Sequence, residues 1–96
     1  MLSTNMTEKE FQQRVIVEAQ LAGWHVYHTY DSRRSAAGFP DLTMVRPPRL
    51  IFAELKSAKG RVTPAQQKWI EDLSKTPAEV YVWRPADSET IIATLA

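Results

Sequence analysis

Three ionisable side chains, Asp41, Glu54 and Lys56, stand at spacings that bring two carboxylates and an amine together. Asp41 precedes the short run Leu42-Thr43-Met44-Val45, and Glu54 and Lys56 close the run Leu50-Ile51-Phe52-Ala53-Glu54-Leu55-Lys56. Both runs read as strands bounded by turn residues. Side chains alternate faces along a strand, so Glu54 and Lys56 share one face while Ile51, Ala53 and Leu55 share the other. Arg46-Pro47-Pro48-Arg49 is a turn, because two prolines cannot continue a central strand. The two strands then form a hairpin in which the start of one lies beside the end of the other, with Asp41 near Glu54 and Lys56. Taken alone, Glu-x-Lys at a strand end is an ordinary ion pair reaching solvent. Convergence with Asp41 favours a catalytic reading, since buried charge without a partner is costly. Two carboxylates and an amine are a minimal set for holding a divalent metal and activating water against a phosphodiester.

The flanking sequence supplies the elements that must position these groups. A first helix is expected from Glu8 to about Ala22, with Thr7 as N-cap, Glu10 completing a capping box, and Phe11, Val15, Ala19 and Ala22 as its apolar stripe. Gly23 ends it. Residues 24–30 alternate as a strand, with Trp24, Val26, His28 and Tyr30 on one face and His25, Tyr27 and Thr29 on the other. Residues 31–38 form a polar loop before the motif. Thr63, Pro64 and Gln66 open a second helix as N-cap, first residue and capping-box partner, with Trp69, Ile70 and Leu73 on its buried side. Thr76-Pro77 stops it, Val80-Tyr81-Val82-Trp83 is a fourth strand, and Asp87 caps a last short helix through Ile91, Ile92 and Leu95. The order α-β-β-β-α-β-α predicts an α/β fold, a mixed central sheet flanked by helices.

His25 and His28 lie three apart on a strand and face opposite sides, so they form no two-histidine metal site. For His28 a packed or solvent-facing role outweighs a substrate-facing one. Tyr27, Tyr30 and the three tryptophans are expected in the core rather than as a base-stacking platform.

Ninety-six residues with a 44% hydrophobic fraction predict one folded domain with a single modest core. With no cysteine, a disulfide framework and a thiolate zinc site are both excluded. No apolar stretch approaches the roughly 20 residues of a membrane span, and residues 1–6 lack signal-peptide character, so a cytoplasmic protein is expected. The net charge of +1 is uninformative, but its distribution is not. Arg33 and Arg34 precede the motif and Lys56, Lys59, Arg61 and Lys68 follow it, a positive rim suited to a polyanion, although a solvated surface would look similar.

Pro40-Asp41 followed by Glu54-Leu55-Lys56 looks like the PD-(D/E)XK nuclease signature. The wider series resembles the virus-type replication-repair nuclease domains, VRR-NUC: Glu8-Lys9-Glu10-Phe11-Gln12, then Gly38-Phe39-Pro40-Asp41-Leu42, Glu54-Leu55-Lys56-Ser57 and Gly60-Arg61-Val62-Thr63-Pro64-Ala65-Gln66. The bare signature is short and unspecific, whereas the combined order, from about Thr7 to about Ala93, is much more specific. The resemblance implies a restriction-endonuclease-like core over residues 1–96, centred on 7–95. It further implies that Asp41 and Glu54 bind one or two Mg²⁺ or Mn²⁺ ions, that the Leu55 carbonyl adds a ligand, and that Lys56 orients or helps deprotonate the attacking water. A further acidic residue on the first helix often completes such sites. Glu10 fits but has its capping role, the spacing to Gly23 in related resolvases lands on Gln12, and Glu8 ranks behind both. Gln66 matches a family glutamine, with structural and substrate-facing roles equally weighted.

The activity so implied is that of a Mg²⁺- or Mn²⁺-dependent endodeoxyribonuclease. Stand-alone family members of this size resemble Holliday-junction resolvases acting on branched DNA as homodimers, and the small surface of this chain favours the same. Arg33 and Arg34 are the first candidates for DNA contact, Lys59 and Arg61 the next. The alternatives are a flap or nicking nuclease working with a phage replication protein, and a catalytically silent DNA-binding module. The resemblance places the protein in the cytoplasm of a phage-infected or bacterial host cell.

Overall fold

The computed structural model describes residues 6–30 and 35–96. Helix α1 (Glu8–Leu21) starts at Thr7, whose hydroxyl accepts the Glu10 amide at 3.1 Å while the Glu10 carboxylate accepts the Thr7 amide at 2.9 Å. This reciprocal cap satisfies two amides that a first helical turn leaves without partners. Phe11, Val15 and Ala19 recur every fourth residue and form its buried stripe. The helix ends before Gly23, whose φ of +90° is a left-handed conformation that only glycine adopts without a Cβ penalty.

Strands β1 (His25–His28), β2 (Leu42–Arg46), β3 (Arg49–Leu55) and β4 (Glu79–Trp83) form one sheet in the order β1-β2-β3-β4. The first two pairings are antiparallel and β3 pairs with β4 in parallel, the connection between them carrying helix α2 (Pro64–Ser74). Pro47 and Pro48 make the turn between β2 and β3, with Arg46 opposite Arg49. Strand β1 is shorter than the alternation over 24–30 suggested. Trp24 turns into the core instead and donates its indole N–H to the Leu95 carbonyl at 2.9 Å. Helix α3 (Ser88–Leu95) closes the chain. Asp87 does not cap α3: its carboxylate accepts the Arg84 amide at 2.8 Å, closing a 3₁₀ turn over Pro85–Asp87 that precedes the helix.

Register divides the sheet into two unlike faces. Leu42 pairs with Ala53 and Met44 with Ile51, and these side chains, with Leu55 and Trp83, pack against Phe11, Val15, Ala19, Ile91 and Leu95. Each large apolar side chain buried this way contributes about 1.5–3 kcal/mol, so this face holds α1 and α3 to the sheet. Away from the motif, Arg46 donates to the Ala22 and Leu95 carbonyls, and the guanidinium groups of Arg46 and Arg49 lie 4.7 and 4.9 Å from the Trp24 ring centroid.

The opposite face, on which Glu54 falls by parity, is covered less completely. Helix α2 buries none of its side chains fully. Phe39 makes edge-to-face contacts with Phe52 and Trp69, with centroids 5.7 and 5.0 Å apart. Because α2 leans on β4, Tyr27 and Val45 on the β1 and β2 part of this face stay exposed.

Candidate active site

The pairing of Leu42 with Ala53 sets Asp41 opposite Glu54 across the hairpin. Asp41 Oδ2 accepts the Leu55 amide at 2.8 Å, which fixes its carboxylate beside β3. The Lys56 amide bonds to the Trp83 carbonyl at 3.0 Å and carries the strand alternation one residue beyond β3. Lys56 therefore points with Glu54, its Nζ 3.5 Å from Glu54 Oε2. These two side chains are buried, Glu54 at 2% exposed and Lys56 at 7%, while Asp41 is half-buried.

This arrangement leaves Glu54 electrostatically unsatisfied. Its pKa is pushed up to about 8, first by burial and next by the Asp41 carboxylate beside it, with Lys56 offsetting only part of the rise. Glu54 Oε1 is buried with no hydrogen-bond partner. A buried carboxylate with an orphaned oxygen, set beside a second, half-buried one, is a place where a cation lowers the free energy. Among the described residues, no group of three or more His, Cys, Asp or Glu side chains gathers in one place. Two carboxylates with a strand carbonyl such as that of Leu55 still suit a hard cation of the Mg²⁺ type, which takes one or two carboxylates and keeps several waters.

The loop before the motif is placed by its own contacts. Gly38 has a φ of +91°, and a Cβ there would come within 2.5 Å of the Ala65 carbonyl carbon. Only glycine lets the loop lie against the first turn of α2 at this distance. Trp69 Nε1 donates to the Ala37 carbonyl at 3.1 Å, and the Thr29 hydroxyl donates to the Pro40 carbonyl at 2.8 Å. Gly-Phe-Pro-Asp is thus held between β1 and α2.

The remaining candidates fall in distinct places. The Glu10 carboxylate is engaged in the α1 cap. Gln12 Nε2 lies 2.9 Å from His28 Nε2, tying α1 to β1. Glu8, ranked lowest from sequence, is the first-helix acid that lines the same cleft of about 880 Å³ as Asp41. Gln66 also lines that cleft, and it completes the α2 capping box with its carbonyl accepting the Thr63 amide at 2.9 Å. Lys59 and Arg61 are exposed beyond the end of β3. Arg33 and Arg34 lie outside the described residues.

Two features differ from the sequence expectation or escaped it. Tyr27 and Tyr30 are not in the core: they are 64% and 74% exposed and line the Asp41 cleft. The sheet's β1 side lacks the helical cover that strand alternation alone implied. Arg84 donates to the Ser57 and Gly60 carbonyls, both at 2.7 Å, and so fixes the turn that follows Lys56. No local pattern marks that contact, which bridges residues far apart in the chain.

A family model described as the VRR-NUC domain matches residues 3–87. The chain belongs to the VRR-NUC family. Two solved structures are similar to it. One, described as a VRR-NUC domain, has a TM-score of 0.74 and 25% identity, covering 90% of this chain and 94% of that chain. The other, a VRR-NUC domain protein, has a TM-score of 0.74 and 23% identity, covering 95% of this chain and 86% of that chain. No curated protein matches. Membership makes this VRR-NUC chain a nuclease of the PD-(D/E)XK superfamily, whose domains typically use divalent metals. Its mixed sheet and flanking helices are the fold of the VRR-NUC structures. No helix among the described residues is long and apolar enough to cross a membrane.

Proposed function

We propose that this VRR-NUC domain is a Mg²⁺- or Mn²⁺-dependent endodeoxyribonuclease, selective for branched DNA such as Holliday junctions and active as a homodimer in the cytoplasm of a phage-infected or bacterial cell. The observation that carries the metal-dependent reading is the buried Glu54 carboxylate, its Oε1 lacking any partner, with the half-buried Asp41 carboxylate and Lys56 beside it. Asp41, Glu54 and the Leu55 carbonyl would hold the ion. When bound it polarises the scissile phosphate and makes its water a better nucleophile near neutral pH.

The chain's own groups then divide the work. Asp41 is kept in place by the Leu55 amide, so its charge is oriented before substrate arrives. Lys56, held beside Glu54, orients the attacking water and screens charge gathering on the phosphoryl oxygens. As the water oxygen bonds to phosphorus and gives up a proton to solvent, the P–O bond to one sugar breaks and the leaving alkoxide takes a proton from another water. Lys59 and Arg61, both exposed, would neutralise backbone phosphates, contacts that position DNA without reading its sequence. Selectivity for branches would follow from the spacing of two such sites in a dimer.

The test is cleavage of a labelled four-way junction, flap, single strand and linear duplex with Mg²⁺ or Mn²⁺, beside Asp41→Ala. Two symmetric nicks in the junction, absent with the variant, are expected. Cutting of flaps alone would keep the chemistry and reject the branched-junction substrate. Binding without cutting of any substrate would reject the nuclease assignment for this chain.

A further inference from the structure

We propose that Tyr27 and Tyr30 offer stacking faces for DNA bases beside the catalytic carboxylates, so that DNA whose branch point frees a base from the duplex stack is preferred. The proposal rests on the nuclease reading of Asp41 and Glu54 and specifies what lies next to the scissile bond.

Both tyrosine rings line the cleft that Asp41 lines, and both are mostly exposed. A single exposed aromatic residue needs no explanation. Two that share a cleft with a catalytic carboxylate, neither of them in the core, are a different matter. Tyr30 is also held from behind: its ring lies 4.7 Å from that of His28, which Gln12 fixes to α1 at 2.9 Å. One face of Tyr30 is thereby backed while most of the side chain stays open. A ring oriented before binding loses less freedom when a ligand stacks on it.

The chemistry of the cleft selects the ligand. Without a metal ion, Glu8 and Asp41 on its walls repel a phosphate, while Tyr27, Tyr30, Phe39 and Trp69 give the cleft an aromatic lining. A neutral, flat nucleobase suits such a space. Bases inside a duplex have both faces covered by their neighbours, so only an unpaired base can present a face to a tyrosine ring. Every base has such a face, and the platform therefore selects strand structure rather than sequence.

The test compares binding of a short labelled single strand with that of an abasic strand of equal length, in chelator so that neither is cut. The two carry the same phosphates and differ only in bases. Wild-type protein should bind the base-bearing strand on the order of tenfold more tightly. Tyr27→Ala and Tyr30→Ala should each bring that ratio toward one, while Tyr27→Phe and Tyr30→Phe, which keep the rings, retain it. Equal affinity of wild type for both strands, or an unchanged ratio in both alanine variants, overturns the platform. A parallel cleavage assay with Mg²⁺ separates the two claims. Cutting of DNA without base preference refutes the platform and leaves the nuclease reading intact. A tenfold preference without any cutting supports stacking and overturns the nuclease reading.

Discussion

Substituting Glu54 by glutamine should make the metal-free protein more stable while abolishing its activity. The carboxyl rises from an ordinary 4.5 to about 8, with burial the larger cause and Asp41 the second. For an acid whose folded pKa is raised, the folded state holds a proton that the unfolded state has released. Stability therefore falls as pH rises between about 4.5 and about 8, and levels off above. At about 1.4 kcal/mol per pH unit, the full fall is about 5 kcal/mol, of which roughly 3 kcal/mol has accrued by pH 7. Relaxation and water entry reduce such figures, so a gain of about 1–2 kcal/mol for Glu54→Gln at pH 7 is expected. Lys56 does not reverse the sign, because below pH 8 it already faces a largely protonated Glu54. The assay is urea unfolding in chelator at pH 5, 6, 7 and 8 for both proteins. The two stability curves should meet near pH 5 and separate as pH rises, and a divalent ion should close the gap by stabilising wild type alone. Parallel curves, or a less stable variant at pH 8, would refute the reasoning that Glu54 is strained by its surroundings.

Lys56→Met should leave divalent-ion affinity within a few-fold by calorimetry yet cut turnover by on the order of 10²–10³; loss of metal binding would place Lys56 in the binding site instead. Gly38→Ala should destabilise by roughly 1–3 kcal/mol in urea and weaken cleavage, since the added Cβ meets α2 backbone at a positive φ; unchanged stability would mean that the loop yields without cost. Arg49 holds the Glu79 carboxylate at about 2 through paired bonds of 2.8 and 2.7 Å. That contribution is present above about pH 4.5 and is lost as pH falls toward 2. With about a third of each side chain exposed, it amounts to about 1 kcal/mol after screening. Glu79→Gln should lose that much at pH 7 and approach wild type near pH 2, whereas an equal loss at both pH values would exclude the ion pair as its source.

The β2–β3 hairpin was legible because parity and turn chemistry act over short distances. Two prolines fix the turn, period-two alternation assigns Glu54 and Lys56 to one face, and register then brings Asp41 alongside. The helix starts were equally plain, since Thr7 with Glu10 and Thr63 with Gln66 are local reciprocal bonds. Tyr27 and Tyr30 were misjudged because alternation says which face a side chain takes, not whether a helix covers that face. Their exposure follows from where α2 lies, which is a tertiary fact. Asp87 has the residue type of a helix cap, but the proline two residues earlier commits it to a 3₁₀ turn. Choosing among Glu8, Glu10 and Gln12 needed the position of α1 over the sheet, which no spacing within the helix records.

The most direct test of the central claim is nicking of supercoiled plasmid across a titration of Mn²⁺ from chelator to excess, with wild type, Asp41→Asn and Glu54→Gln side by side. Nicking that rises with Mn²⁺ in the wild type alone, while both folded variants stay inert at every concentration, is the predicted result. Nicking by wild type in chelator, or by either variant at the wild-type rate, would contradict a metal-dependent nuclease built on Asp41 and Glu54.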